Sequence, residues 1–593
     1  MGGHEAIDEL LAEAGVDGLR LRGALALLAG GRWWTLSDLV RETATPRRTI
    51  ESLLRALPLE HSGDRVRIPM DQVNRYNAGV GPEISDLGNP VSEMVPEHAE
   101  TLARLERLIA EAPRGRHALD HVSATAETVL RRALLLGRRF WLPGARLLCV
   151  GDHDLTSLAV RMVHPEVEVA VADIDDRILE FVDAQDLGVR TRWADLRLGL
   201  PPSLRGWADL AITDPPYTPD GIGLFAARAA EGLRDRERGR ILLAYGASER
   251  TPMLALKVQK ALVDLNLLHE AIFPHFNRYY GAEAIGSAAD LYVLRPTTKT
   301  WPAIAARLDR LATAIYTQGP QAVESAGRPG KSAAQATTQA TAVDSATGRT
   351  AGAGTDSTAG STADSTAGTG VDATADEAAV TAFGPDLLAG DWPRGLLPQV
   401  PRTRLATLLA KPYAADPRRV VIAVPAGLEA ALPRLLLATR ARHVRVLTAA
   451  PVAGLPELAA LLAPVYELTA EGRVLDAVRL APPEDGPERI IRAILDSAHG
   501  KLANTWREAL TRTGLTTTPG HATPPEHAGT PGHAGTPGHG GTAGHGGTAG
   551  LTKRQARAAV EEAAPWAGDA TPLELPLHRL TQLTAEITAP APA

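Results

Sequence analysis

Four segments in the middle of this chain carry carboxylates where apolar runs stop. Arg146-Leu-Leu-Cys-Val ends in Gly151-Asp152-His153-Asp154, and residues 167–172 end in Asp173-Ile-Asp175-Asp176. Asp195 follows Trp193, and residues 208–213 end in Asp214-Pro215-Pro216-Tyr217. A carboxylate closing the second strand of a nucleotide-binding sheet bonds ribose hydroxyls, which fits Asp173 or Asp175. Asp195 is spaced to meet an adenine amino group. Asp152 and Asp154 would repel a ligand's carboxylate and attract its ammonium. They are equally suited to capping the helix that follows. Only Gly151 stands where adenosyl-binding loops are commonly glycine-rich. The set favours decarboxylated S-adenosylmethionine, an aminopropyl donor, over S-adenosylmethionine, a methyl donor.

Asp214-Pro215-Pro216-Tyr217 is the pattern of enzymes that transfer a group to nitrogen. The carboxylate orients the acceptor's lone pair toward an electrophilic carbon and can take its proton. Tyr217 can stack on a cationic or aromatic acceptor. The motif alone does not choose between a nucleic-acid base and a polyamine. Asp120, in Leu119-Asp120-His121, and Thr125-Ala-Glu-Thr128 precede the first strand and are expected over the pocket. Asn277 and Tyr279, after a late strand, offer polar contacts near the same face. Surface placement is the competing expectation for each. His153 titrates near neutrality in principle; it is read as a bystander or an orienting group.

Strands must carry these residues. Those ending at Val150, Asp173, Asp214 and Tyr245 are separated by helical segments, which implies a doubly wound parallel sheet over 117–317. Upstream, over 18–80, helices at 19–28, from Thr35 and at 47–57 precede the alternating Arg65-Val-Arg-Ile. Thr45 is the expected N-cap and Pro46 the first helical residue of the third helix. This is a winged-helix-like pattern. DNA binding through Arg47 and Arg48 is one reading. A protein-contact module is favoured, because Glu42, Glu51 and Glu60 dilute the basic charge. A small α/β domain is expected over 395–514, with strands at 419–424, 443–447 and 474–480. A tail over 552–593 holds one helix, at 553–564.

Composition sets the bounds. The chain has 593 residues, 55 Gly, 44 Pro and only 4% aromatics, so part of it lacks the apolar surface for a core. Residues 318–376 are an Ala/Thr/Gly/Ser-rich linker expected to be disordered. Residues 516–550 repeat His521, His527, His533, His539 and His545 at a period of six. Such a tract can bind metal, but a flexible tether is the favoured reading and no metal site is expected. A single Cys excludes an intramolecular disulfide. The net charge of -7 gives no global field for nucleic acid, so a nucleic-acid partner is not expected. No membrane-length apolar run occurs, and Glu5, Asp8 and Glu9 replace a basic leader. A cytoplasmic protein is expected.

Asp120-His-Val-Ser-Ala-Thr-Ala-Glu-Thr128, Gly151-Asp-His-Asp-Leu-Thr-Ser157, Val171-Ala-Asp-Ile-Asp-Asp-Arg177, Ala194-Asp-Leu-Arg197 and Thr213-Asp-Pro-Pro216 together resemble the branched-chain polyamine synthase family. The resemblance covers 18–317. It implies a Rossmann-like, methyltransferase-type catalytic domain and an aminopropyltransferase that acts on a spermidine-like amine and releases methylthioadenosine. It implies no cofactor beyond decarboxylated S-adenosylmethionine as co-substrate. By the same resemblance, Gly151, Asp152 and Asp154 form the acidic loop, and Asp214 handles the acceptor nitrogen. A homodimer is also expected. His153 and His121 depart from the family pattern and bear on acceptor identity. The competing function is an N-methyltransferase acting on nucleic acid or protein.

Overall fold

The structure is a computed structural model that describes residues 3–14, 18–77, 89–247, 251–308, 314–317, 373–413, 416–513 and 551–588. The His repeat and nearly all of the 318–376 stretch lie outside the described residues. No described helix is long and apolar enough to cross a membrane.

At the N-terminus, helices Gly3–Ala14, Gly18–Ala29, Leu36–Thr43 and Arg47–Ala56 pack on a small antiparallel sheet. Its strands β1 (Trp34–Thr35), β2 (Glu60–Ser62) and β3 (Arg65–Arg67) lie in the order β1-β3-β2. The Thr35 hydroxyl accepts from Asp38 N at 3.1 Å, which fixes the start of the third helix. The fourth helix departs from the expected cap. Pro46 is the N-cap, without a side-chain bond, while the Thr45 hydroxyl donates to Thr43 O. The helix Gly3–Ala14 was not foreseen.

The central sheet contains β4 (Arg146–Val150), β5 (Glu168–Asp173), β6 (Arg190–Trp193), β7 (Leu210–Thr213), β8 (Arg240–Tyr245), β9 (Leu267–Arg278) and β10 (Ala288–Pro296). Their order is β6-β5-β4-β7-β8-β10-β9. Strands β4 to β8 pair in parallel, and β4, β5 and β7 are mostly buried apolar runs, as a sheet covered on both faces requires, whereas the edge strand β6 is Arg-Thr-Arg-Trp. The last two strands depart from the expected all-parallel arrangement. Strand β10 is antiparallel to both β8 and β9. The connection from β9 to β10 is too short for a crossover helix, so the chain must double back. The strand order reverses at β4, between β5 and β7, and a ligand crevice forms at such a point.

A second sheet follows, of β11 (Leu387–Ala389), β12 (Arg402–Thr403), β13 (Arg419–Val424), β14 (His443–Thr448), β15 (Tyr466–Glu471) and β16 (Val474–Arg479), in the order β12-β11-β13-β14-β16-β15. This corrects the expected boundary at 395. Strand β11 pairs with β13 inside the sheet, and helix Ala373–Phe383 packs with it. Three residues are too few to show a periodicity, which is why β11 was missed. Residues 551–588 are not a one-helix tail. Helix Lys553–Ala563 opens with a capping box at Thr552 and Gln555, and a second helix, Leu577–Thr588, packs against Pro487–Asp496. One apolar cluster runs from the central sheet through the second sheet to Leu580, Leu583 and Ile587.

Candidate active site

The carboxyl ends of β4, β5 and β7 surround a cavity of about 260 Å³. Its wall includes Asp120, Gly151, Asp152, Asp154, Asp173, Asp195, Asp214, Pro215, Pro216, Tyr217 and Tyr279. Eleven of the thirteen expected site residues therefore share one space. Asp175 and Asn277 do not line it.

Asp214 directly follows β7 and keeps 19% of its side chain exposed. Its carboxylate accepts from Arg132 at 2.6 Å, Tyr279 at 2.7 Å and Tyr217 at 3.0 Å. Burial pushes its pKa up to about 6, against the pull of the Arg132 charge. The phenol oxygens of Tyr217 and Tyr279 lie 3.0 Å apart, and burial raises both pKa values well above the ordinary range. Tyr217 therefore holds Asp214 through its hydroxyl, a different use from the expected stacking.

Arg132 was missed by the sequence reading. Its side chain is 2% exposed and bridges Asp154 at 2.9 Å, Asp214 and the Asn277 side chain at 2.9 Å. Burial works against its charge, but Asp214 and Asp154 more than offset that and raise its pKa. It lies on helix Ala126–Arg139, which the Thr125 hydroxyl caps by accepting from Thr128 N. The signal was present in the sequence. Arg131 and Arg132 interrupt the apolar stretch Val129-Leu130-Arg-Arg-Ala133-Leu134, and a guanidinium on a buried helix face needs an anionic partner. Thr125 and Thr128, expected over the pocket, serve this helix and the Arg278 backbone instead.

The acidic loop divides its work. The Asp152 carboxylate accepts from Ser157 N at 3.2 and 3.3 Å, so it caps the start of helix Thr156–Val163. Burial pushes its pKa up to about 8, leaving it largely protonated at neutral pH. Asp154 accepts from Ala124 N at 2.8 Å and pairs with Arg132. Neither is the free anion that the sequence suggested. Gly151 takes φ +74, a left-handed conformation that glycine adopts without strain.

Asp173 accepts the backbone N–H of Asp152 and of Asp175, both at 2.8 Å, and so ties the loops after β4 and β5 together. Burial raises its pKa. Asp175 points elsewhere. It is the N-cap of helix Asp176–Ala184; burial opposes its charge, but Arg177 and Arg116 hold its carboxyl below the usual range. Of the two ribose candidates, only Asp173 lines the cavity. Asp195 is buried and bonded by both arms of Arg197, at 2.8 and 2.6 Å. Asp120 accepts from Thr317 N and the Thr317 hydroxyl, which closes a segment over the cavity. Asn277 positions Arg132 and donates to Ala289 O and Asp290 O. The imidazoles of His121 and His153 stack with centroids 4.3 Å apart. Burial, reinforced by the neighbouring ring, lowers the His121 pKa to about 3, and burial lowers that of His153. Among the described residues no cluster could hold a metal ion.

Strand order and the carboxylate-lined switch point define the central unit as an α/β, Rossmann-like domain of the methyltransferase type. Residues 100–321 match the family model described as the branched-chain polyamine synthase A C-terminal domain, and this region is similar to that family. The chain is 39% identical over 174 residues to an uncharacterised protein of Methanocaldococcus jannaschii, spanning 28% of this chain and 43% of that one. It is 29% identical over 190 residues to the N(4)-bis(aminopropyl)spermidine synthase of the same organism, spanning 31% and 53%. The match thus spans about half the length of these relatives. A solved structure of the branched-chain polyamine synthase from Thermus thermophilus, in complex with N4-aminopropylspermidine and 5'-methylthioadenosine, aligns with a TM-score of 0.34 at 20% identity, covering 49% of this chain and 92% of that one.

Proposed function

We propose that the chain is an aminopropyltransferase that uses decarboxylated S-adenosylmethionine to build branched polyamines from a spermidine-like acceptor. The observation that carries this is the composition of one cavity wall: six carboxylates against the guanidiniums of Arg132 and Arg197, with Asp214 poised beside Pro215-Pro216-Tyr217. Even with Asp152 protonated, that wall attracts a polycation. Asp173 and Asp195 serve the adenosyl half of the donor, and Asp214 serves the acceptor.

The amine lone pair attacks the propyl carbon attached to the sulfonium. The new C–N bond forms as the C–S bond breaks, and sulfur keeps that electron pair, giving neutral methylthioadenosine. The nitrogen sheds its proton to Asp214, which is mostly ionised above its pKa of about 6 and can accept it. Arg132 and the two tyrosines fix the direction of that carboxylate.

The test is direct. Protein mixed with spermidine and the decarboxylated donor should release methylthioadenosine, and no release across several polyamines sinks the reading. One observation favours N-methyl transfer as the second reading: a protonated Asp152 repels a methionine carboxylate less than an ionised one would. Calorimetry with the two donors separates them, because a methyltransferase binds S-adenosylmethionine more tightly.

The N-terminal unit is read as winged-helix-like, on its helix order followed by a hairpin. Arg47 is engaged by Glu51 and Glu283, which supports a protein-contact role over DNA binding. A cytoplasmic homodimer remains the proposed state. Exposed Met253, Leu256 and Val263 on helix Pro252–Asp264 support self-association, and sedimentation tests it.

A further inference from the structure

The C-terminal unit reaches the cavity through a single buried guanidinium. Arg197 holds both oxygens of Asp195, and its Nη2 also donates to Gly427 O at 2.6 Å. Gly427 lies just beyond the end of β13, in the second sheet. Arg197 therefore has its geometry set from both units at once.

The other bonds between the units fall on the same side of the central sheet. Arg434 is fully buried, bonds Asp176 at 3.0 and 3.3 Å and lies 4.1 Å over the Trp193 ring. Leu577 N also donates to Asp176. Asp183 is bonded by His578 and Arg579, each at 2.7 Å, and Glu574 accepts from the Ser203 hydroxyl at 2.6 Å. Asp176 and Asp183 belong to the helix after Asp173, and Trp193 ends β6, two residues before Asp195. The C-terminal unit thus covers the β6 edge and braces the segments that bear Asp173 and Asp195. The bonds that fix Asp214 come from Arg132, Tyr217 and Tyr279, all within the central domain.

We propose that the C-terminal unit tunes the affinity of the cavity for the adenosyl donor, with Arg197 as the positioning residue that transmits its docking to Asp195. The inference rests on the aminopropyltransferase reading, which assigns Asp195 to the donor. A guanidinium shared between a gripping carboxylate and a carbonyl on another unit turns with that unit, so the Asp195 oxygens follow. Loss of docking should loosen the donor half of the site and leave the acceptor half intact.

The test uses the full chain and two probes, methylthioadenosine and spermidine, by calorimetry. Arg434→Met removes one ion pair of the interface, that with Asp176, without touching the cavity. It should weaken methylthioadenosine about tenfold, a modest coupling, and raise the donor KM with kcat little changed. Spermidine affinity should stay within about twofold of wild type, since no coupling to the acceptor half is invoked. Arg197→Lys, which keeps the charge but cannot span both partners, should weaken methylthioadenosine to a similar degree while spermidine affinity stays within about twofold. If Arg434→Met fails to fold, Glu574→Gln serves as the milder interface variant. Unchanged methylthioadenosine affinity in the folded variants overturns the proposal, and so does an equal loss for both probes. Wild-type protein that binds no methylthioadenosine instead overturns the aminopropyltransferase reading itself.

Discussion

Asp214 is held by three donors, and each makes a different demand. Asp214→Asn keeps the shape but cannot take a proton, and the Arg132 arm would then face an amide. Turnover should fall roughly 10²- to 10⁴-fold, the range of a lost general base, with the fold retained. Methylthioadenosine release measures it, and wild-type-like turnover would contradict the role. Arg132→Met leaves Asp154 and Asp214 buried without their cation. Breaking such a pair costs about 3–5 kcal/mol of stability. Removing a positive charge also raises the Asp214 pKa above its present value of about 6. The acid limb of the pH–rate profile should therefore move to higher pH, and urea melts should report the lost stability. Asp152 makes a separate prediction. Below its pKa of about 8 it is protonated and offers an ammonium no charge. An aliphatic ammonium stays charged to roughly pH 10. Donor affinity should thus rise between pH 7 and 9, and Asp152→Asn should flatten that rise. A flat wild-type profile would remove Asp152 from donor recognition.

At the scale of elements, the strand ends were legible because β7, and β4 and β5 beyond their first residues, are buried, and burial writes itself as an apolar run. Each stops where the chain meets solvent or ligand, and the carboxylates there were visible for that reason. Partnerships were not legible. Nothing in the spacing of Asp152 and Asp154 tells which one caps and which one pairs with an arginine from a helix two elements away. Asn277 likewise sits in β9 itself, fully buried, and acts through Arg132. The β9–β10 loop illustrates the same limit. Its Gly286 takes φ +78, and an added Cβ would lie 2.5 Å from Ala44 O in the N-terminal unit. Ser37 and Arg47 bond Glu283 in that loop. Gly286→Ala therefore meets backbone that cannot yield cheaply, and adds strain at positive φ. It should cost about 1–3 kcal/mol. Thermal unfolding checks this, and an unchanged midpoint would mean that the N-terminal unit is not seated on this loop.

At the scale of the molecule, the apolar cluster decides what behaves as one body. The cluster that includes Val129, Leu134 and Val171 in the central domain also includes Leu435, Ile494, Val560, Leu573 and Ile587. Residues 551–588 are separated in sequence from that core by the His/Gly/Pro repeat, yet they bury Leu575, Leu580 and Leu583 against it. Charged contacts seal the rim, where Asp183 meets His578 and Arg579 and Ser203 meets Glu574. Apolar burial contributes about 1.5–3 kcal/mol for each large side chain, so several such residues together exceed the entropy regained by freeing a short segment. A protease site engineered into 516–550 and then cut should leave 551–593 bound to the rest. The two pieces should co-elute on gel filtration and unfold in one transition. Leu580→Ala, removing about 2–5 kcal/mol of buried contact, should weaken that association measurably. If the cut piece separates from the folded remainder in wild type, the shared core does not hold the C-terminal segment in place.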